Sequence, residues 1–179
     1  MSGPGPTFRP LAESDLPWLH ERLNRPHLRR FFQRTPISLP EVVAKYGPRI
    51  RHEAPTHSHL ALVEARAFAY IQCYRIADWP EWAALIAQSD GIGIDLAILE
   101  PDLLRKGLGR AMLGAYVRDV VYALYPEQTR CLIAHEFENT AALAASKAVG
   151  FRHLADFVEE GQQTELLVLP RADSTSARG

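Results

Sequence analysis

The spacing of apolar and polar residues changes period repeatedly along the chain, and each change marks an element. Thr7 to Leu11 alternates as a short strand, and Ser14 with Asp15 then offers an N-cap region for a helix reaching about Asn24. Ser38, Pro40 and Glu41 open a further helix to about His52. His59 to Glu64 and Ala67 to Ile76 read as a hairpin, and a Trp- and Pro-containing loop separates them from an apolar strand, Gly93 to Leu99. Helix Gly107 to Leu124, strand Thr129 to His135, helix Asn139 to Val149 and two closing strands complete the pattern. No internal repeat interrupts it. A single domain is expected over residues 7–169, after a flexible start at 1–6 and before a disordered Ser-, Ala- and Arg-rich tail at 170–179.

The most informative local feature is Leu104-Arg105-Lys106-Gly107-Leu108-Gly109-Arg110, lying between an apolar strand and a long helix. Glycines at such a junction let backbone amides converge on a phosphate at the positive end of a helix. A phosphorylated cofactor is therefore expected. The turn is not a Walker loop, which needs Gly-x4-Gly-Lys-Ser/Thr, and Met112 stands where a dinucleotide fingerprint wants Gly or Ala. A Rossmann domain also carries its fingerprint after the first strand, whereas nearly a hundred residues of mixed helix and strand precede this one.

Composition narrows the class. At 179 residues, 47% hydrophobic and a formal net charge of −1, the chain has the size of one enzyme domain and no basic tail for nucleic acid. No apolar stretch is long enough to span a bilayer and Met1 to Pro6 lacks a signal-peptide core, so a cytoplasmic protein is expected, as monomer or homodimer. Cys73 and Cys131 lie in predicted strands and read as buried free thiols; His52, His57 and His59 fall in a connection without cysteines and read as solvated, so no metal is assigned.

Three further segments sharpen the reading. Gly93-Ile94-Asp95-Leu96-Ala97-Ile98-Leu99-Glu100-Pro101 leads into the glycine turn, Asn139-Thr140-Ala141-Ala142 opens a helix, and Val149-Gly150-Phe151 ends it. From about Phe8 to Leu169 this order resembles the GCN5-related N-acetyltransferases, whose cofactor motif is Gln/Arg-x-x-Gly-x-Gly/Ala followed by an Asn-x-x-Ala helix closing in Gly-Phe. Leu23-Asn24-Arg25-Pro26-His27, Tyr70-Ile71-Gln72-Cys73-Tyr74, Gly93-Ile94-Asp95 and Lys106-Gly107-Leu108-Gly109 look like the aminoglycoside 6′-N-acetyltransferases in particular. The resemblance implies an α+β fold with a central mixed, mostly antiparallel sheet flanked by helices, and acetyl-CoA as cofactor. It implies pyrophosphate held by the amides of Arg105, Lys106, Gly107, Leu108, Gly109 and Arg110, pantetheine along Leu96, Ala97, Ile98 and Leu99, and a contact from Asn139. Asn139 reads equally as a helix N-cap, and Arg105, Lys106 and Arg110 as solvated cations. Leu104 departs from the motif's Gln or Arg.

An acceptor amine must be neutral to attack a thioester, yet binds most readily as ammonium. Between Ile76 and Leu104 there is no Lys or Arg, but there are Asp78, Glu81, Asp90, Asp95, Glu100 and Asp102. Such a run would attract a polycation, and Asp95, an acid inside an apolar strand, is the candidate catalytic group. A structural carboxylate paired with a turn or an arginine is its alternative; the resembled enzymes place an Asp of a Gly-Ile-Asp match on the reacting amine. Strand alternation puts Phe68, Tyr70, Gln72 and Tyr74 on one face, to line the acceptor pocket with Asp90 and Asp95 or to pack in the core. Phe31 and Phe32 occupy the place of the family's aromatic acceptor wall.

Two departures bear on mechanism. Ser146 stands seven residues after the helix-opening Asn, where many relatives carry a Tyr that protonates the departing thiolate, and Ala134-His135-Glu136-Phe137-Glu138 displaces an acid near the end of the fifth strand. Four functions fit: transfer of acetyl to an aminoglycoside or similar small cationic amine; acylation of another amine such as a hydroxylysine of siderophore synthesis; noncatalytic acyl-CoA binding; and acetylation of protein or peptide amines.

Overall fold

The computed structural model describes residues 5–172. Seven strands form one sheet: β1 (Thr7–Pro10), β2 (His57–Val63), β3 (Arg66–Arg75), β4 (Ile92–Ile98), β5 (Arg130–Glu136), β6 (Arg152–Glu159) and β7 (Gln162–Pro170), in the order β1-β2-β3-β4-β5-β7-β6. Every neighbouring pair is antiparallel except β4 and β5. These two pair only at Ile92 with Cys131 and Gly93 with Leu132, and beyond Gly93 they separate. A wedge opens in the middle of the sheet.

Helices close both faces. Helix α1 (Leu16–Leu23) and helix α2 (Leu39–Ile50) pack Leu19, Leu23, Val42 and Tyr46 against Leu60, Tyr70 and Leu99. A capping box starts α2, with the Ser38 N–H donating to Glu41 Oε2 at 2.7 Å and Ser38 Oγ accepting from the Glu41 N–H. On the opposite face α4 (Leu108–Tyr116) and α6 (Thr140–Val149) cover Ile71, Cys73, Ile94, Ile133 and Leu167. Helix α4 continues through a π-helical turn at Val117–Val121 into α5 (Tyr122–Leu124), so the expected helix from Gly107 to Leu124 is one rod with a local widening.

Several boundaries differ from expectation. Helix α3 (Pro80–Leu85) occupies the presumed loop; its six residues include none that are fully buried, so no long periodic pattern announces it, although Pro80 sits at its first turn. Strand β2 begins at His57, which puts His57 and His59 half-buried on the sheet rather than in a solvated loop, and the Tyr116 hydroxyl lies 2.8 Å from His59 Nδ1. Burial lowers the His59 pKa to about 4, which keeps the ring neutral. Pro6, placed in the flexible start, is buried, and Pro170, placed in the tail, ends β7; the Arg171 N–H donates to Thr129 O at 2.7 Å. Residues 1–4 and 173–179 of those two segments lie outside the described residues. Cys73 and Cys131 are buried and unbridged.

Candidate active site

The glycine turn sits where β4 hands the chain to α4. Gly107 caps the helix with φ 75°, a left-handed conformation that glycine adopts freely, and space is open within 4 Å of where its Cβ would be. The first intrahelical bond runs from the Ala111 N–H to Gly107 O at 3.1 Å, and no side chain caps the helix. The N–H groups of Leu108, Gly109 and Arg110 are therefore free to meet an anion. Arg105, Lys106 and Arg110 are exposed and, among the described residues, form no salt bridge, unlike most arginines of this chain. Three exposed cations thus surround a turn of free backbone N–H groups.

Beyond Gly93 the edge of β4 that faces the wedge has no strand partner. Backbone direction alternates along it. The Leu99 N–H donates to Phe68 O at 2.8 Å, so odd-numbered positions point into β3, whereas His27 reaches Ile98 O at 3.0 Å from the opposite side. Leu96 and Ile98 thus offer main-chain groups to an extended ligand. Ala97 and Leu99 do not: the Ala97 backbone and the Leu99 N–H face β3, and Leu99 O accepts from Arg25 Nη1 at 3.2 Å, which corrects the expectation that all four residues bind pantetheine.

Asp95 lies on β4 directly opposite Gln72 of β3. Gln72 Nε2 donates to Asp95 Oδ2 at 2.6 Å, and Gln72 Oε1 accepts from Arg49 Nη1 at 2.7 Å and from the Tyr70 hydroxyl at 2.5 Å. Ser58 Oγ is 2.7 Å from that hydroxyl. Gly93 faces Tyr74 in the next register position, and the Tyr74 ring lies where a Cβ on Gly93 would be, 2.5 Å from Cε2. The glycine of Gly93-Ile94-Asp95 is what lets the tyrosine lie flat across β4 toward Asp95. Burial raises the Asp95 pKa above the ordinary carboxylate value; the Gln72 hydrogen bond, the Arg49 charge, the Tyr74 hydroxyl and Lys45 pull it partly back.

Residues 12–158 match the family model of the acetyltransferase (GNAT) domain. The chain belongs to the GNAT acetyltransferases. Acetyl-CoA is accordingly its acyl donor, and the free amides of the turn, the open edge at Leu96 and Ile98 and the uncompensated cations fit that molecule. AAC(6')-Ib in complex with paromomycin and acetyl-CoA is 22% identical, with TM-score 0.77 and 94% of each chain covered. An aminoglycoside N(6')-acetyltransferase from Legionella pneumophila is 17% identical, with TM-score 0.71 and coverage of 95% of this chain and 94% of that one. Spermidine N-acetyltransferase from Vibrio cholerae, in complex with CoA and spermine, is 16% identical, with TM-score 0.71 and coverage of 93% and 96%. At these identities the likeness is one of fold. A comparison with curated protein sequences finds no match. Among the described residues no helix is long and apolar enough to cross a membrane.

Other expected members of the GNAT site are placed unevenly. Tyr70, Gln72 and Tyr74 share the Asp95 face, but Phe68 does not. Ala61 pairs with Ala69 and Leu62 with Ala67, so Phe68 is the extra residue of a β-bulge and packs with Ile71 and Cys73 on the other face. Phe32 is half-buried with its ring 6.3 Å from that of Tyr70, whereas the Phe31 ring lies under the Arg30 guanidinium at 4.8 Å. Asn139 caps α6, its Oδ1 accepting from the Ala142 N–H at 3.3 Å. Ser146 is 1% exposed and its Oγ is 2.9 Å from His135 Nε2, so the hydroxyl at the family's tyrosine position belongs to a buried pair; burial lowers His135 to about 4.

Three acids of the run, Asp90, Glu100 and Asp102, are held in ion pairs. Asp90 pairs with Arg130 at the foot of β4, away from the wedge, and does not join Asp95. Buried Glu100 accepts from Arg22 at 2.7 Å, Arg25 at 2.9 Å and Arg66 at 3.1 Å, and Arg66 also holds Asp102. Other carboxylates take their place. Glu159, at the end of β6, has its pKa raised by burial and then by Asp95, Glu160 and Glu136, so the three strands β4, β5 and β6 bring acids together around the Asp95 end of the wedge. Glu136 is paired with Arg34, and Arg30 holds Glu138 at 3.1 Å, which straps the turn carrying Phe31 and Phe32 to the end of β5. Glu136 lies in the Ala134 to Glu138 segment singled out by sequence, whereas Glu159 is not marked locally; Glu159-Glu160-Gly161 reads simply as a hairpin turn.

Proposed function

We propose that this GNAT enzyme acetylates a primary amine of a small cationic acceptor, an aminoglycoside-like 6′-amine first among them, by direct transfer within a ternary complex. The observation that carries the reading is Asp95, an acid held beside the open edge of β4 with Tyr70, Gln72 and Tyr74 around it. Asp95 raises the pKa of Glu159, which marks a negative potential that an ammonium group relieves on entering. The fold neighbours support this acceptor class, since two are aminoglycoside acetyltransferases and one is in complex with spermine.

Acetyl-CoA supplies the thioester carbonyl that the amine attacks. Free N–H groups at Leu108, Gly109 and Arg110, with Arg105 and Lys106, hold its phosphates, and Leu96 and Ile98 align the pantetheine. Asn139 Nδ2 remains available for it while Oδ1 caps α6. Asp95 first binds the acceptor as ammonium and then takes its proton; a carboxylate raised by burial is a stronger base than an exposed one. Its anionic form is needed, so activity falls as pH drops through the Asp95 pKa. With Ser146 buried against His135, water protonates the departing thiolate, whose thiol has a pKa of about 8.5.

A second reading has its own support. Lys45 and Arg49 of α2 both act on Asp95, and an amino-acid acceptor such as N-hydroxylysine carries a carboxylate for such cations. Purified protein with acetyl-CoA and a panel of aminoglycosides, spermidine, N-hydroxylysine and peptide N-termini, assayed by thiol release and product mass, tests both. Acetylation of aminoglycosides or polyamines supports the first reading. Transfer confined to N-hydroxylysine or peptides refutes it and leaves the fold and cofactor assignments standing.

A further inference from the structure

We propose that Arg49 is a positioning residue for acetyl transfer: it fixes the Gln72 amide so that its NH₂ group faces Asp95, holding that carboxylate anionic and aimed at the amine. The inference rests on Asp95 being the base. Gln72 lies between two elements, α2 and β4, and its amide could in principle face either way. Oε1 accepts from Arg49 Nη1 at 2.7 Å and Tyr70 Oη at 2.5 Å, while Nε2 donates to Asp95 Oδ2 at 2.6 Å.

The direction of these bonds follows from donor chemistry. Ser58 and Tyr70 carry hydroxyls that donate or accept, so their 2.7 Å contact and the Tyr70–Gln72 bond would run equally well in reverse. A guanidinium only donates. Beside the ionised Asp95 carboxylate, which only accepts, Arg49 is therefore the member of the set that forbids the flipped amide, in which NH₂ would oppose the guanidinium and Oε1 would oppose the carboxylate. Loss of Arg49 removes both the constraint and a positive charge. Of the remaining groups around Asp95, Gln72 and Tyr74 of β3 and Lys45 of α2 act on it, and Asp95 in turn raises Tyr46 of α2, Tyr70 of β3 and Glu159 of β6; of these only Lys45 is a cation.

The test is a titration of the Asp95 carboxyl carbon by NMR in folded wild type, Arg49→Met, Arg49→Lys and Tyr70→Phe, with the pH profile of kcat/KM recorded beside it. Arg49→Met should raise the Asp95 midpoint by about one pH unit, a tenfold weaker hold on the anion, and move the acid limb of kcat/KM with it. Arg49→Lys, a donor of the same charge, should restore most of the shift, and Tyr70→Phe, which keeps Arg49, should move it little. An unchanged midpoint in Arg49→Met overturns the proposal, as does an equal shift in Tyr70→Phe. Should Arg49→Met not fold, Arg49→Gln serves, with the same expected direction. A midpoint that moves while the kcat/KM limb stays fixed upholds the Arg49 relay and refutes Asp95 as the base.

Discussion

Gly93→Ala is the sharpest perturbation the site allows. Gly93 does not lie in the left-handed region, so its backbone accepts alanine without strain, and the whole cost is steric. The added Cβ would stand 2.5 Å from Tyr74 Cε2, 2.6 Å from Cζ and 2.9 Å from the hydroxyl. The Tyr74 ring cannot swing freely: it is 8% exposed and packs with Ile76, Ile86 and Trp79. Overpacking a filled core by one methyl costs about 1–3 kcal/mol, or about 2–12 °C in Tm for a domain of this size. Displacing the ring also carries the hydroxyl away from Asp95, so acetyl transfer should fall together with stability. A double-mutant cycle isolates the cause, because Tyr74→Leu lacks all three clashing atoms. Thermal or urea denaturation of the two single variants and the double variant should show Gly93→Ala nearly free of cost in the Tyr74→Leu background, a coupling that recovers most of the loss. If Gly93→Ala costs the same in both backgrounds, the contact with Tyr74 is not the reason for glycine at this position.

Asp95→Asn should lower kcat by about two to four powers of ten while leaving CoA affinity intact. Because the folded-state pKa of Asp95 is raised, this group favours the fold below its unfolded pKa and loses that contribution as pH rises through the folded value; the Asn variant should therefore be no less stable than wild type at pH 8, and a lower Tm there would mark a structural carboxylate. Gly109→Trp should weaken CoA binding measured by calorimetry, whereas Gly109→Ala should leave the unfolding free energy within about 1 kcal/mol of wild type, since its Cβ meets only Ile98 Cδ1 at 3.7 Å; undiminished CoA binding by the Trp variant would remove the phosphate cradle from this turn. Raising ionic strength should raise KM for a polycationic acceptor more than for acetyl-CoA, through screening of Glu159 and the other acids near Asp95; a salt-independent KM would argue for an uncharged acceptor.

What the chain itself determined was set over short distances. The capping box at Ser38 and Glu41, the Asn139 cap, the left-handed glycine before α4 and the period-two run around Asp95 are each written within a few residues, and each stands where local chemistry puts it. The charge reading failed for the complementary reason. Asp90, Glu100 and Asp102 lie in the stretch 76–104 that has no Lys or Arg, but their partners Arg130, Arg22, Arg25 and Arg66 lie 34 to 78 positions away, and only folding brings the guanidinium groups within hydrogen-bond reach. The bulge that turns Phe68 to the opposite face depends on its pairing with β2, and the separation of β4 from β5 depends on where the parallel pairing stops. The Arg49–Gln72–Asp95 chain joins a helix to two strands, and the effect of Asp95 on Glu159 joins β4 to β6. Period and capping are properties of neighbours along the chain, whereas desolvation, charge pairing and the direction of a hydrogen-bond network depend on neighbours in space, so the sequence marked Asp95 and the tertiary structure decided what surrounds it.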